Sequence, residues 1–186
     1  MKRAFDIALA LVLALILAAP MLLVALAVKF SSRGPVLYWS DRVGKDSLLF
    51  SMPKFRSMRT DAPALPTHLM ADGRAYLTPI GAFLRRSSLD EFPQLWSILK
   101  GDMSFVGPRP ALFNQDDLMA LRREKGVDRL VPGLTGWAQV NGRDELSIPD
   151  KVAIEAEYLA RRSFGFDLYI LWLTGLKVLR GSGVAH

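Results

Sequence analysis

An α+β chain, mostly helical with one small β-hairpin, is what the sequence predicts, and three observations predict it. An uncharged apolar run extends from Ile7 to Val28, strand formers cluster at Val36-Leu37-Tyr38-Trp39 and Leu48-Leu49-Phe50, and apolar residues recur at helical spacings from Ile80 onward. The 186 residues suffice for one compact domain with a modest core.

The N-terminal run is long enough to cross a hydrocarbon core of about 30 Å as one straight helix. Pro20 lies inside it. Its missing donor and its clash with the preceding turn predict a kink or break near Ala19, and neither arm alone would span. Three readings stand: a kinked crossing, a cleaved signal peptide with a basic start at Lys2-Arg3 and a small-residue site at Ala25-Leu26-Ala27, or a helix that enters and leaves on one side. Lys2 and Arg3 precede the run while Lys29 and Arg33 follow it, so the charge asymmetry that orients a crossing is missing. That balance favours two cytosolic ends.

Ser31-Ser32-Arg33-Gly34-Pro35 reads as a turn into the hairpin, whose loop is Val43-Gly44-Lys45-Asp46-Ser47. Thr60 to Thr78, with Pro63, Pro66 and Gly73, reads as an irregular excursion. Helical spacing from Ile80 to Leu99 is interrupted at Ser87-Ser88 and stopped by Gly101. Gly107-Pro108-Arg109-Pro110 must be extended, since each proline restricts the residue before it. A polar helix is expected from Ala111 to about Lys125, then a turn at Val131-Pro132-Gly133, a short extended piece through Gly136 to Val140 and a tight turn at Asn141-Gly142. Helices are expected from Ile148 to Arg162 and from Phe166 to Arg180. The second, with Tyr169 and Trp172, fits either a core helix or an interfacial one.

The chain has no cysteine, and His68 and His186 lack ligand-like spacing, so thiolate chemistry and a Ser/His nucleophile system are excluded or improbable. A formal charge of +6 suits anionic lipid, a phosphorylated substrate or nucleic acid. No nucleic acid is expected, because the basic residues are dispersed and accompany a membrane segment. No glycine-rich phosphate cradle is present.

Ser88-Leu89-Asp90-Glu91 matches a capping box, which would make both acids helix-end residues. It also fits a nucleophile, Asp90, kept ionised by backbone donors and the helix field. Adjacent helical residues point about 100° apart, so Asp90 and Glu91 should have different tasks. A carboxylate approaches a phosphate only when charge is offset. Lys54, Arg56, Arg85, Arg86, Arg109 and Arg143 could do so, with Arg56 and Arg86 the weakest candidates; each taken alone reads first as a solvated surface charge. Mg2+ fits a site in which Asp90 and Glu91 share the ion with substrate phosphates.

Lys54-Phe55-Arg56-Ser57-Met58, Ser88 through Leu95, Lys100-Gly101-Asp102-Met103-Ser104, Gly107-Pro108-Arg109-Pro110 and Pro132-Gly133-Leu134-Thr135-Gly136 through Asn141-Gly142-Arg143 together resemble the bacterial sugar transferase family, the monotopic phosphoglycosyl transferases. The likeness covers nearly the whole chain in the minimal catalytic form. It implies a re-entrant membrane helix over 1–30, broken at Pro20, and a cytosolic, membrane-associated catalytic domain over 31–186 with amphipathic interfacial helices, at the bacterial inner membrane. It implies transfer of a sugar 1-phosphate from a nucleotide diphosphate-sugar, by family preference a UDP-sugar, to polyprenyl phosphate. Asp90 would attack, Glu91 would assist as its dyad partner, and Lys54, Arg85, Arg109 and Arg143 would line the phosphate-binding face. A homodimer is left open. Pro53, Pro79 and Ser47 depart from the family pattern at hairpin and loop positions, and Ala19 stands before Pro20 where some members have serine. The rival reading is a non-catalytic, basic, membrane-anchored module that binds lipid or protein.

Overall fold

The structure, a computed structural model, describes residues 1–63, 74–142 and 146–179. Helix α1 runs from Lys2 to Ser31. A hairpin of β1 (Leu37–Val43) and β2 (Leu49–Phe55) follows, antiparallel in the register Leu37 opposite Phe55 and Val43 opposite Leu49. Its strands are longer than their apolar clusters suggested because polar residues alternate through them. In the loop, Asp46 and Ser47 both take positive φ, at 54° and 62°, so Ser47 holds the left-handed conformation for which a turn glycine is the usual choice.

Helix α2 (Gly81–Arg86) ends at the expected Ser87-Ser88 interruption; a 3-10 turn spans Leu89–Gln94, and α3 (Leu95–Lys100) stops at Gly101 with φ 101°. Next come β3 (Ser104–Val106), β4 (Ala111–Leu112) and α4 (Asp116–Glu124). The expected helix from Ala111 therefore starts later, because β4 is drawn onto the free edge of β1, Val43 opposite Ala111. Of the extended piece expected through Gly136 to Val140, only the beginning is strand: β5 is Gly133–Thr135, pairing in parallel with β3, and Trp137–Val140 forms α5 instead. Helices α6 (Ile148–Arg161) and α7 (Phe164–Leu179) complete the chain, α6 capped by Ser147, whose Oγ accepts from the Asp150 amide.

The main core gathers Ile98, Met103, Phe105, Tyr158 and Ile170 with Ala10 of α1. Each fully buried aliphatic side chain there contributes about 1.5–3 kcal/mol. Helix α7 settles between its two readings by face: Phe166, Asp167 and Ile170 point inward, while Tyr169 and Trp172 stay exposed and their rings stack at 5.9 Å.

Both ends of α1 are fastened to the rest of the chain. At its start Lys2 Nζ donates to Asp167 at 2.6 Å and to the Val106 carbonyl, Arg3 donates to the carbonyls ending α3, and Asp6 accepts from Ser104 Oγ at 2.9 Å. At its end Val24 and Val28 pack with Phe55 and Leu84, while buried Arg56 donates to the carbonyls of Ser32 and Arg33. The expected break at Pro20 does not interrupt the helix, which is continuous through that residue. A proline deletes one donor and frees one carbonyl. Here Leu17, Met21 and Val24 pack on both sides of it and hold the helix in place. The opposite face is bare: Leu11, Leu15, Ile16, Leu22 and Leu23 are exposed, Leu15 by 80%.

Candidate functional site

The acidic pair sits where three chain segments meet, and its local conformation is not a capped helix start. Ser88 adopts φ 56° and ψ 17°, and its side chain caps nothing; the turn closes through the Glu91 amide and the Ser88 carbonyl at 3.1 Å. Glu91 does not reach back to Ser88 as a capping box requires. Its Oε1 instead accepts from Lys54 Nζ and from Arg109 Nη2, both at 2.8 Å. A residue held at positive φ without glycine is strained, and such strain persists only where surrounding contacts impose it. Here the Glu91 pairing supplies those contacts.

Asp90 is 7% exposed, and among the described residues its carboxylate accepts no hydrogen bond. Burial pushes its carboxyl above the usual aspartate value, with the Glu91 charge adding to the rise and Lys54, Arg85 and Arg109 opposing it. Glu91 goes the other way. Burial raises it, but Arg109 and Lys54 outweigh burial and hold it well below the ordinary range. Burial lowers Lys54, opposed by Glu91. The two neighbouring acids thus separate into an ionised, charge-paired one, Glu91, and an uncommitted one, Asp90.

The cations arrive from distant elements. Lys54 comes from β2, on the face that Tyr38, Ser40 and Arg42 share by strand alternation. Arg85, in the last turn of α2, lies near enough to Asp90 to stabilise its charge. Arg109 stands in a strap fixed at both ends. Before it, Gly107 N donates to the Thr135 carbonyl and Gly133 N to the Pro108 carbonyl, each at 2.9 Å; after it, β4 joins β1. The glycines are there for backbone contact: a Cβ on Gly133 would lie 2.1 Å from the Gly107 nitrogen, and one on Gly136 2.1 Å from the Gly107 carbonyl oxygen. Arg143 lies outside the described residues.

Sequence reasoning missed two supports. Arg42 is half-buried, donates to Ser40 Oγ at 3.0 Å and to the Pro110 carbonyl at 3.3 Å, and is pushed down to about 10 by burial and then by the Arg109 charge, against Glu91. Its strand alternation with Tyr38, the residue opposite Lys54, was the signal available. Arg122 of α4 and Glu155 of α6 form a buried two-bond pair, at 2.8 and 2.5 Å, and Arg122 also donates to the Arg109 carbonyl at 3.0 Å. Only the helical spacing in each pointed inward. Arg56, a weak phosphate candidate, serves instead as the clamp on the end of α1.

For a metal, no group of three or more acidic or histidine side chains converges among the described residues. The donors at hand are the Asp90 carboxylate and Glu91 Oε2, both without a hydrogen-bond partner there. That set suits Mg2+, which takes one or two carboxylates and draws its other ligands from substrate phosphates and water.

A family model described as bacterial sugar transferase matches residues 1–181. An undecaprenyl-phosphate glucose phosphotransferase from Komagataeibacter xylinus is 42% identical, over 93% of this chain and 35% of that protein. A UDP-glucose:undecaprenyl-phosphate glucose-1-phosphate transferase from Escherichia coli (strain K12) is 38% identical, over 95% of this chain and 40% of that one. The chain therefore spans well under half the length of these two relatives. It spans 90% of the uncharacterized sugar transferase EpsL of Bacillus subtilis (strain 168), 39% identical over 99% of this chain.

Proposed function

The chain belongs to the bacterial sugar transferase family, and from that premise we propose that it transfers a sugar 1-phosphate from a UDP-sugar to polyprenyl phosphate through a phosphosugar carried on Asp90. The observation that carries this reading is the division of labour within the acidic pair: Glu91 is consumed by Lys54 and Arg109, while Asp90 beside it is uncommitted and lies within the field of three cations. An Oδ atom of Asp90 attacks the phosphorus that bears the sugar. The bond from that phosphorus to the nucleotide breaks, and its electrons leave with the nucleoside monophosphate. An oxygen of polyprenyl phosphate then attacks the same phosphorus, the bond to Asp90 breaks, and polyprenyl diphosphate-sugar leaves with the carboxylate restored.

Arg109 and Lys54 offset the donor's charge, Glu91 holds both cations in place, and Lys54, Arg85 and Arg109 favour the ionised form of Asp90 against its burial. Arg143, on the same stretch as the Asn141-Gly142 turn, is proposed as a further phosphate ligand on the family likeness alone. Mg2+, held by Asp90 and Glu91 Oε2 with the diphosphate, would add charge neutralisation at the leaving oxygens.

Attachment is proposed as monotopic, with the catalytic part on the cytosolic face of the bacterial inner membrane. In support, a straight helix of 30 residues is about 45 Å long, yet both ends of α1 are bonded to the same folded unit. A crossing would leave one end across about 30 Å of hydrocarbon from the other. The bare face around Leu15 and Leu22 would enter the lipid, with exposed Tyr169 and Trp172 of α7 at headgroup level. With no native cysteine in the chain, Ala4→Cys and Arg33→Cys variants should both label from one side of sealed vesicles. Labelling from opposite sides would overturn the monotopic arrangement.

The assay is purified protein with undecaprenyl phosphate, Mg2+ and a panel of UDP-hexoses and UDP-N-acetylhexosamines, read as released UMP. At least one donor should release UMP and yield a lipid-linked sugar; folded protein inactive on the whole panel would sink the proposal. In the protein without metal or donor, the Asp90 carboxyl should titrate above the ordinary aspartate value, because burial, with the Glu91 charge adding, outweighs Lys54, Arg85 and Arg109, while Glu91 stays ionised there. Titration of Asp90 at or below the ordinary value, followed by carboxyl NMR, would overturn that division of the pair.

A further inference from the structure

Resting on the reading just given, we propose that the apolar cavity behind the acidic pair holds the isoprenoid chain of the lipid acceptor. The cavity measures about 680 Å³. One wall is α1, through Ala14, Met21, Leu22 and Ala25; the others are the hairpin and the stretch that carries Asp90 and Glu91.

Chain geometry makes that shared stretch a partition. On the hairpin, Leu37, Trp39, Pro53 and Phe55 line the cavity, while their alternating neighbours Tyr38 and Lys54 lie on the other face, with Lys54 bonded to Glu91. On the 3-10 turn the sequence divides in the same way: Asp90 and Glu91 serve the charged site, and Phe92 and Pro93 line the cavity. Pro53, which departs from the family pattern, is thus a wall residue.

An acceptor that is a phosphate at one end and a long methyl-branched hydrocarbon behind it needs what this partition offers, a cationic site and an apolar volume one residue layer apart. The cavity borders the face of α1 that exposes Leu22, Leu23 and Leu26, and exposed Trp39 and Trp96 stand at its lining. A chain entering from lipid meets no charged residue among the lining groups. A phospholipid tail shares the hydrocarbon chemistry but carries no terminal phosphate to attack the phosphosugar on Asp90, so the proposal commits to the isoprenoid.

The test separates the two half-reactions. Ala25→Phe, and independently Ala14→Phe, place a ring in the cavity from the helix wall. With the UDP-sugar active in the panel, stoichiometric UMP release in the absence of acceptor should stay within about twofold of the unmodified chain, because no atom of the charged site is touched. The KM for undecaprenyl phosphate in micelles should rise about tenfold, the loss expected when roughly two buried CH2 groups are displaced from an apolar site. Turnover of methyl phosphate, which has no hydrocarbon chain to seat in the cavity, should barely change. An unchanged KM for the long acceptor, or equal losses on the long and short ones, would overturn the assignment. For the unmodified protein, an undecaprenyl phosphate analogue with a diazirine near its phosphate end should label peptides containing Ala14 to Ala25 or Phe92 to Leu99, in competition with undecaprenyl phosphate. Equal competition by phosphatidylethanolamine, or labels elsewhere, would also overturn it. If the unmodified chain releases no UMP, it is the transferase reading that has failed, and the labelling still decides the cavity's occupant.

Discussion

Asp90→Asn is expected to abolish UMP release, with a loss on the order of 10³-fold or more, because the amide cannot form the phosphosugar bond. The substitution is close to isosteric, so donor binding should survive. Intact-mass measurement after mixing with donor should show a phosphosugar adduct on the unmodified chain and none on the variant. An adduct of full stoichiometry on the asparagine variant would exclude Asp90 as the attacking group.

The same variant carries a stability signature of defined sign. The fold favours the neutral form of Asp90, since its carboxyl is raised by burial, opposed by cations. That group therefore contributes stability at pH below the ordinary aspartate value and loses it as pH rises through the raised one, so at neutral pH its charge is a cost. Asp90→Asn should melt no lower than the unmodified chain at pH 7, and its advantage should shrink on acidification. Glu91 behaves oppositely: its contribution is present above the ordinary glutamate value and is lost only as pH falls through the depressed one.

The second large effect is expected far from the acids, at Glu155. Its carboxylate and the Arg122 guanidinium are both almost fully buried and joined by two hydrogen bonds. Glu155→Ala leaves Arg122 charged, buried and unpaired, at a cost of about 3–5 kcal/mol. For a chain of this size that lowers Tm by roughly 10 °C, measurable by light scattering or tryptophan fluorescence in detergent. Replacing the pair together, as Glu155→Leu with Arg122→Met, should recover most of the stability because no isolated charge remains. It should not recover full activity: the Arg122 bond to the Arg109 carbonyl is lost, and with it part of the strap that holds Arg109 against Glu91. Full rate in the stable double variant would show that the pair only holds the fold.

Much of the architecture could be read from local pattern. The apolar N-terminal helix, the hairpin, the stop at Gly101 and the last two helices follow from composition, alternation and periodicity, each a property of neighbours in the chain. The failures have a common cause. Ser88 to Glu91 has the sequence of a capping box, yet Ser88 is left-handed and Glu91 turns to Lys54 and Arg109, because two cations from remote elements outbid one backbone amide. The helix expected from Ala111 starts only at Asp116, since Ala111 and Leu112 pair instead with a free edge of β1. Pro20 does not interrupt its helix, and Leu17, Met21 and Val24 pack on both sides of it.

By itself the sequence determined which residue types were available and in what order: an apolar run without charge, two adjacent carboxylates, and arginines held between prolines and after turns. Tertiary structure alone decided that Glu91 is the paired acid and Asp90 the uncommitted one, and that charge and hydrocarbon volume lie on opposite faces of one thin partition. The physical reason is distance along the chain. Lys54, Glu91, Arg109 and Arg122 are far apart in sequence and interact only through space, and a Coulomb or hydrogen-bond partner that close in space leaves no trace in the local pattern of either residue.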